Sequence, residues 1–291
     1  MAKILITGSN GQVGYCLVQQ LQGRHDILAV DRNNLDITQQ TAVFDMIRDF
    51  RPDVVINAAA HTAVDKAESE VELATAINVD GVRYLAKASH EVGAAFLHIS
   101  TDYVFDGQRA GQYSEDDTTA PQGVYGKTKL AGEQAAFAEN SKTIVLRTAW
   151  VFGEHGNNFV KTMLRLAQQR DSLGVVSDQI GAPTYAGDIA AALIQIAEKI
   201  VAGEQIEYGV YHFTGSPYVS WYDFAQAIFT ETVSQKILEK APLVNPIGTA
   251  DYPTSAKRPA NSCLNLAKIN RVFGIKPSDW QKALKNLSLY M

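Results

Sequence analysis

Tyr125 and Lys129 stand four residues apart in Tyr125-Gly126-Lys127-Thr128-Lys129, inside a stretch that reads as helix. Residues at i and i+4 share one helical face a turn apart, whereas Lys127 at i+2 points away from Tyr125. An ammonium beside a phenol favours the phenolate and brings its pKa down from about 10 toward working pH. Such a tyrosine is a usable general acid for a carbonyl that is being reduced. Upstream, Ser100-Thr101-Asp102 closes an apolar run. A Thr101 hydroxyl at the end of a strand can donate to the oxygen on which charge develops. Its other reading is a strand-end turn residue.

A second set of residues suits a phosphate-bearing ligand. Gly8, Gly11 and Gly14 follow the first apolar run and open the first helical stretch. Glycines there permit a tight turn, close approach of backbone to a pyrophosphate, and tight packing of helix on strand. The helix N-terminus adds unpaired N–H groups and the positive end of its dipole. The spacing is G-x-x-G-x-x-G rather than G-x-G-x-x-G. Asp31 ends the second apolar run, seventeen positions after Gly14, where a carboxylate accepts hydrogen bonds from an adenosine ribose. Asp31 favours NAD, while Arg32 beside it suits the 2′-phosphate of NADP. NADH and NADPH both stay open.

These groups need strands that end on one edge. Runs at Ile4–Ile6, Ile27–Val30, Val54–Ile56, Ala95–Ile99 and Ile144–Leu146 alternate with helical stretches. The stretches run from Val13 to Gln22, from an N-capping Thr38 to Phe50, from Leu73 to Val92 and from Gly123 to Asn140. Continuous apolar strands alternating with helices predict a parallel sheet covered on both faces, the doubly wound Rossmann-type α/β architecture. Such a sheet binds ligands at the carboxyl ends of its strands. Residues 1–150 are read as a dinucleotide-binding domain.

After Trp150 the rhythm weakens. Helices over Phe159–Arg170 and Ala186–Val201 flank a short strand at Leu173–Val176. Pro242, Pro246, Pro253 and Pro259 then suit a loop-rich cap better than a regular sheet. Residues 151–291 are read as mainly substrate-binding, chiefly 215–291, with the chain returning to its sheet around 173–213.

The 291 residues carry 26 basic and 31 acidic side chains, a net charge of −5, with no block of like charge. That argues against the clustered Lys and Arg of a nucleic-acid surface. Small anions stay open, because backbone N–H groups hold phosphate without net positive charge. No run approaches a membrane span. Cys16 and Cys263 show no ligand spacing and are read as reduced thiols. With no secretion signal after Met1, a cytoplasmic protein is expected.

Longer strings carry a resemblance. They are Gly8–Gly14, Asn57–Glu68 with its Ala-Ala-His-Thr-Ala-Val-Asp, Ser100–Phe105 as Ser-Thr-Asp-Tyr-Val-Phe, Tyr125–Glu133, Arg147–Phe152, Gly156–Phe159, Asp178–Thr184 and Arg258–Ser262. Over nearly the whole chain these resemble the extended short-chain dehydrogenase/reductases and, within them, the dTDP-4-dehydrorhamnose reductase family. The resemblance implies NAD(P)H-dependent reduction of the 4-keto group of a dTDP-sugar, dTDP-4-dehydro-L-rhamnose. It implies that Tyr125 protonates the carbonyl oxygen and that Lys129 lowers the tyrosine pKa and holds the nicotinamide ribose. Thr101 would orient the carbonyl, with Asp102 beside the sugar.

By the same resemblance Gly11, Gln12, Val13, Asp31, Asp36, Ile37, Ala60, His61 and Thr62 match cofactor-binding positions; for His61, buried packing is an equal reading. Trp150 matches a substrate-contacting tryptophan, its other reading being a packed core residue. Arg258 falls where relatives contact the nucleotide diphosphate.

The chain also departs from its neighbours. The related 4,6-dehydratases carry Asp-Glu after the threonine, and here Tyr103 replaces the Glu, so water elimination lacks its acid/base group. Gly187 and Tyr290 stand where some members place carboxylates for Mg²⁺. No Mg²⁺ is expected there, which leaves the homodimer built around that ion without its bridge. Two other readings stay beside the reductase. One is a non-catalytic nucleotide-binding subunit, of the type that regulates methionine adenosyltransferase. The other is a reductase or epimerase of a different nucleotide sugar.

Overall fold

Strands covered on both faces are mainly apolar, and four of the first five follow that rule over most of their length, the exception being the half-buried edge strand. In the computed structural model, which describes residues 1–291, β1 (Lys3–Thr7), β2 (Asp26–Val30), β3 (Val54–Asn57), β4 (Ala95–Thr101) and β5 (Thr143–Thr148) pair in parallel. β3 and β5 are buried along their whole length. A sixth strand, Gly209–His212, joins β5, giving the order (209–212)-β5-β4-β3-β1-β2. The order reverses between β1 and β3, which opens a crevice beyond their carboxyl ends.

Two apolar layers cover the sheet. On one face α1 (Gln12–Leu21) inserts Val13, Leu17 and Leu21 beside Ile189, Leu193 and Ile196 of the Ala186–Val201 helix. On the other, Val43, Phe44 and Ile47 of α2 (Gln40–Phe50) pack with Val82 and Leu85 of the Val82–Glu91 helix. A third core belongs to the chain beyond Trp150. It gathers Phe152, Met163, Leu173, Phe224, Ile228 and Trp280, with Tyr290 at its end. Cys16 and Cys263 are free and buried. No helix is long and apolar enough to cross a membrane.

Three local expectations change. Thr38 does not cap α2: its hydroxyl and N–H both donate to Asp36 Oδ1, at 2.8 and 3.0 Å, and the helix starts after Gln39. The stretch from Leu73 to Val92 is not one regular helix, because Ala76–Gly81 forms a π-turn. Its extra residue turns Asn78 inward, where the side chain bonds the backbone N–H and C=O of His61 and the Thr128 hydroxyl. The return to the sheet is made only by Gly209–His212. Residues Ser172–Val176 pair instead with Leu243–Ile247 in a separate two-stranded ribbon. The proline-rich segment therefore contains a strand, and Pro246 is tolerated in it because a two-stranded ribbon has only edges.

One buried ion pair ties the Val124–Glu139 helix to the sheet. Arg147 of β5 meets Glu133 through Nη2–Oε2 at 2.7 Å and Nε–Oε1 at 3.0 Å, and the Ser100 hydroxyl of β4 donates to the same carboxylate. Both charged side chains are nearly sealed from solvent. Removing one partner strands the other charge in a dry interior. Arg147→Met should therefore cost about 3–5 kcal/mol in urea unfolding, and adding Glu133→Leu should restore most of it. An unchanged midpoint in the single variant would remove this pair from the account of the fold.

Candidate active site

The crevice at β1 and β3 begins with the glycine turn. Gly8 has φ +72°, and a Cβ there would stand 2.6 Å from Ala59 N. A Cβ on Gly14 would stand 2.0 Å from Gly8 O. No other residue fits either place. The turn closes through Gly11 N–H donating to Gly8 O at 2.9 Å, and α1 starts directly after Gly11.

Gly8, Gly11, Asp31, Arg32, Asp36, Ile37 and His61 line one cavity of about 510 Å³. Asp31 is held there by the Asn33 N–H at 2.8 Å and by the Asn10 amide. Arg32 is exposed at its rim. Asp36 spends its carboxylate on Thr38, whose hydroxyl and N–H hold it below the usual carboxylate range, and Ile37 is buried against Gly81. His61 unites its two readings. Its N–H is bound by Asn78 and its Nε2 meets Glu70 Oε2 at 2.8 Å, while its loop forms the cavity wall.

A second cavity of about 580 Å³ adjoins the first, sharing Gly11, Ala58, Ala60 and Thr62. Gln12 and Val13 line it on the α1 side, and Thr101, Asp102, Tyr125, Lys129 and Trp150 line it opposite. Most of the sequence-derived residues thus line two adjoining cavities. The Tyr125 helix begins where Glu68 Oε1 accepts the Val124 N–H at 2.8 Å, which sets the tyrosine at the mouth of the cavity. Tyr103 packs edge-on to Tyr125, with ring centroids 5.4 Å apart.

The protonation states differ from the sequence expectation. Tyr125 keeps part of its surface open to the cavity, yet desolvation pushes its phenol pKa up rather than down. The Thr101 hydroxyl opposes this, and the Asp102 and Tyr103 charges reinforce it. Burial pulls Lys129 down to about 8, with Glu133 opposing. Spacing along a helix reports proximity, but desolvation, which favours the neutral form of both groups, is decided by what packs over them. Lys129 Nζ donates to Ile99 O at 2.7 Å and meets His98 Nε2 at 3.1 Å.

Thr101 is both site residue and turn residue. Its Oγ1 accepts the Tyr103 N–H at 3.2 Å and donates to Asp102 Oδ1 at 3.1 Å, so its proton is engaged. Burial pushes Asp102 up to about 6, with the Ser262 and Thr101 hydroxyls opposing, and Oδ2 has no hydrogen-bond partner.

A third cavity, about 650 Å³, lies toward the cap and shares Tyr103 and Trp150 with the second. Trp150 is therefore a wall between two cavities, not a core residue. It holds φ +48° and stacks on Trp221 with ring centroids 3.5 Å apart. A left-handed tryptophan costs about 1–3 kcal/mol, which surrounding packing must offset. Arg258 lines this cavity, ion-paired to Asp65 and 3.4 Å from the Tyr103 hydroxyl. Arg165 and Arg170 line it too.

Sequence reasoning missed Trp221, Arg165 and Arg170, which sit in no local motif. It also missed His98, although a histidine within Ala95-Phe96-Leu97-His98-Ile99 is a polar break in a run buried on both faces. At the positions of the expected Mg²⁺ departure, Gly187 opens a helix against the Tyr185 ring and Tyr290 is buried in the cap core. The adjacent Asp188 accepts from the Ser278 hydroxyl at 2.6 Å.

Comparison with known proteins gives the family and the fold. A family model described as the RmlD substrate binding domain matches residues 2–289. A dTDP-4-dehydrorhamnose reductase from Aggregatibacter actinomycetemcomitans is 61% identical over 292 residues, spanning 100% of this chain and 99% of that protein. A crystal structure of a dTDP-4-dehydrorhamnose reductase from Clostridium acetobutylicum superposes with a TM-score of 0.90 at 43% identity, covering 97% of each chain. Another from Bacillus anthracis, in complex with NADP, gives 0.91 at 37% identity over 100% of this chain and 99% of that one.

The glycine turn yields a direct test. Gly14→Ala forces the start of α1 away from Gly8 O, so NADPH, followed by its fluorescence, should bind at least about tenfold more weakly. Retained helical circular dichroism would show that the fold survives. Unchanged NADPH affinity would separate the turn from cofactor binding.

Proposed function

The chain belongs to the RmlD substrate binding domain family, and on that premise we propose that it reduces the 4-keto group of dTDP-4-dehydro-L-rhamnose to dTDP-L-rhamnose with NADPH or NADH. One observation carries the reading: Thr101, Tyr125 and Lys129 face a single cavity between the glycine turn and the arginine-lined groove. The crevice suits a dinucleotide, because only glycine fits at positions 8 and 14. Asp31 and Arg32 line that crevice, which supports Asp31 as the partner of an adenosine ribose and Arg32 as the partner of a 2′-phosphate.

Bound NAD(P)H supplies a hydride to C4 of the sugar. Tyr125, kept as the phenol by desolvation, gives its proton to the carbonyl oxygen, so the product leaves as an alcohol and the tyrosine as phenolate. Lys129 in its ammonium form balances that charge. Thr101 and Asp102 hold the oxygen side of the cavity, and Trp150 offers an apolar wall to the deoxysugar ring. Arg258, with Arg165 and Arg170, supplies cations for the diphosphate. At the position where a dehydratase uses Glu, the Tyr103 phenol is pushed up to about 12 by burial. That leaves no carboxylate for water elimination and favours simple reduction.

Adding dTDP-4-dehydro-L-rhamnose should deplete NAD(P)H absorbance, and Tyr125→Phe should lower kcat about 10²–10⁴-fold while NADPH affinity stays nearly intact. Wild-type protein that binds NADPH yet reduces no nucleotide sugar would favour the regulatory-subunit reading. The pH profile has a determined sign. Lys129 is held down to about 8, so its cation is present below that pH and lost above it. The rate of reduction should be level near neutrality and fall by about tenfold per unit above pH 8. A rate that rises through that range would exclude a role for the ammonium.

A further inference from the structure

Beneath Lys129 lies a run of buried polar side chains that the reaction as described does not use. Thr7 of β1, Asn57 of β3 and His98 of β4 are all essentially without solvent exposure. Thr7 Oγ1 meets Asn57 Oδ1 at 2.7 Å, Asn57 Nδ2 meets His98 Nδ1 at 3.0 Å, and His98 Nε2 meets Lys129 Nζ at 3.1 Å. They form a ladder across three adjacent strands that ends on the lysine.

The direction of the bonds as far as His98 follows from one backbone group. Ala59 N–H donates to Asn57 Oδ1 at 3.0 Å. A backbone amide can only donate, so that atom is the amide oxygen and the Asn57 NH₂ faces His98. The Thr7 hydroxyl donates to the same oxygen. His98 Nδ1 must then accept. Burial first, and the Lys129 charge second, hold the imidazole neutral, so its one proton sits on Nε2 and points at Nζ. An ammonium has no lone pair with which to accept it; a free amine does. Ile99 O meanwhile accepts one Nζ–H in either state.

We propose that His98 is a positioning residue for Lys129: the Thr7–Asn57–His98 ladder locks the imidazole as the Nε2–H tautomer and so favours the neutral amine at Nζ. Lys129 then exchanges its proton in the working range rather than standing as a permanent cation. This rests on the catalytic role assigned above to Lys129. The other titratable groups around it are accounted for. Glu133, a turn further along the same helix, favours the ammonium but is shared with Arg147 of β5 and Ser100. Tyr125 lies a turn back. Asp102 and Tyr103 approach from the 3-10 turn after β4. On the opposite flank Asn78 is uncharged, Asp80 pairs with Arg83, and Glu68 is spent on the helix start.

The test reads the tautomer directly in the full-length protein. With ¹⁵N-labelled imidazoles, long-range ¹H–¹⁵N correlation, assigned by loss of the signal in His98→Gln, should show His98 protonated at Nε2 and bare at Nδ1. A His98 protonated at Nδ1 would overturn the proposal. Asn57→Asp places two accepting oxygens beside Ala59 N–H and His98, which should turn the tautomer over and present a lone pair to Nζ. The Lys129 titration, followed by its ¹³Cε shift, should then rise by about one to two pH units, and the alkaline fall in kcat should move with it. An unmoved Lys129 titration beside a reversed tautomer would also overturn the proposal. If Asn57→Asp fails to fold, the wild-type tautomer still decides. Neither NMR measurement involves a nucleotide sugar, so an inactive protein that shows both results keeps the His98 assignment and loses only the substrate.

Discussion

A lysine cut off from water is costly to bury unless it is partnered, and much of the site is arranged around one. Lys129 is 2% exposed. Leaving such a group without partners costs several kcal/mol, so the helix that carries it must be held in place. Glu133 grips Arg147 and Ser100 at one end, Glu68 takes the first N–H at the other, and Asn78 bonds Thr128 between them. Beneath, Ile99 O accepts from the lysine at 2.7 Å, and His98 Nε2 bounds it at 3.1 Å on the side that favours the uncharged amine. The same contacts that make its burial tolerable also set its distance from Tyr125 and from the crevice.

Around that point the ligand path is continuous. The reversal of strand order between β1 and β3 separates the loops that follow them, and Gly8 lets those loops close on one another again at backbone distance, while Gly14 lets α1 pack onto the Gly8 turn. From there the cavities follow one after another along the carboxyl edge to the cap, where Trp150 stacks on Trp221. The π-turn at Ala76–Gly81 serves the same edge, because the residue it turns inward fixes the His61 loop. Local irregularity and function coincide here.

Much of this was legible beforehand. The apolar runs that became β1, β3, β4 and β5 are buried over most of their length, and a strand of that kind leaves a mark in composition that a turn cannot imitate. Gly8 and Gly14 were legible because no other residue survives their contacts. The Tyr125–Lys129 pair was legible because helical spacing alone makes them neighbours. The ribbon between Ser172–Val176 and Leu243–Ile247 was not, since its two strands are separated by some 65 residues and one contains proline. Trp221 and the groove arginines were invisible for the same reason: their meaning lies in what they face across the cleft.

By itself, then, the amino-acid sequence determined the alternation of strand and helix, the turn that only glycine can make, and which side chains share a helical face. These are properties of neighbouring residues, governed by sterics and periodicity. The tertiary structure alone decided how those side chains behave. It raised the Tyr125 phenol where spacing suggested a lowered one, engaged the Thr101 proton with Asp102, and set Trp150 as a partition between cavities. Proton affinity and hydrogen-bond direction depend on how much water and which dipoles surround a group, and here those surroundings come from β1, β3, β4 and the cap, brought together only by folding.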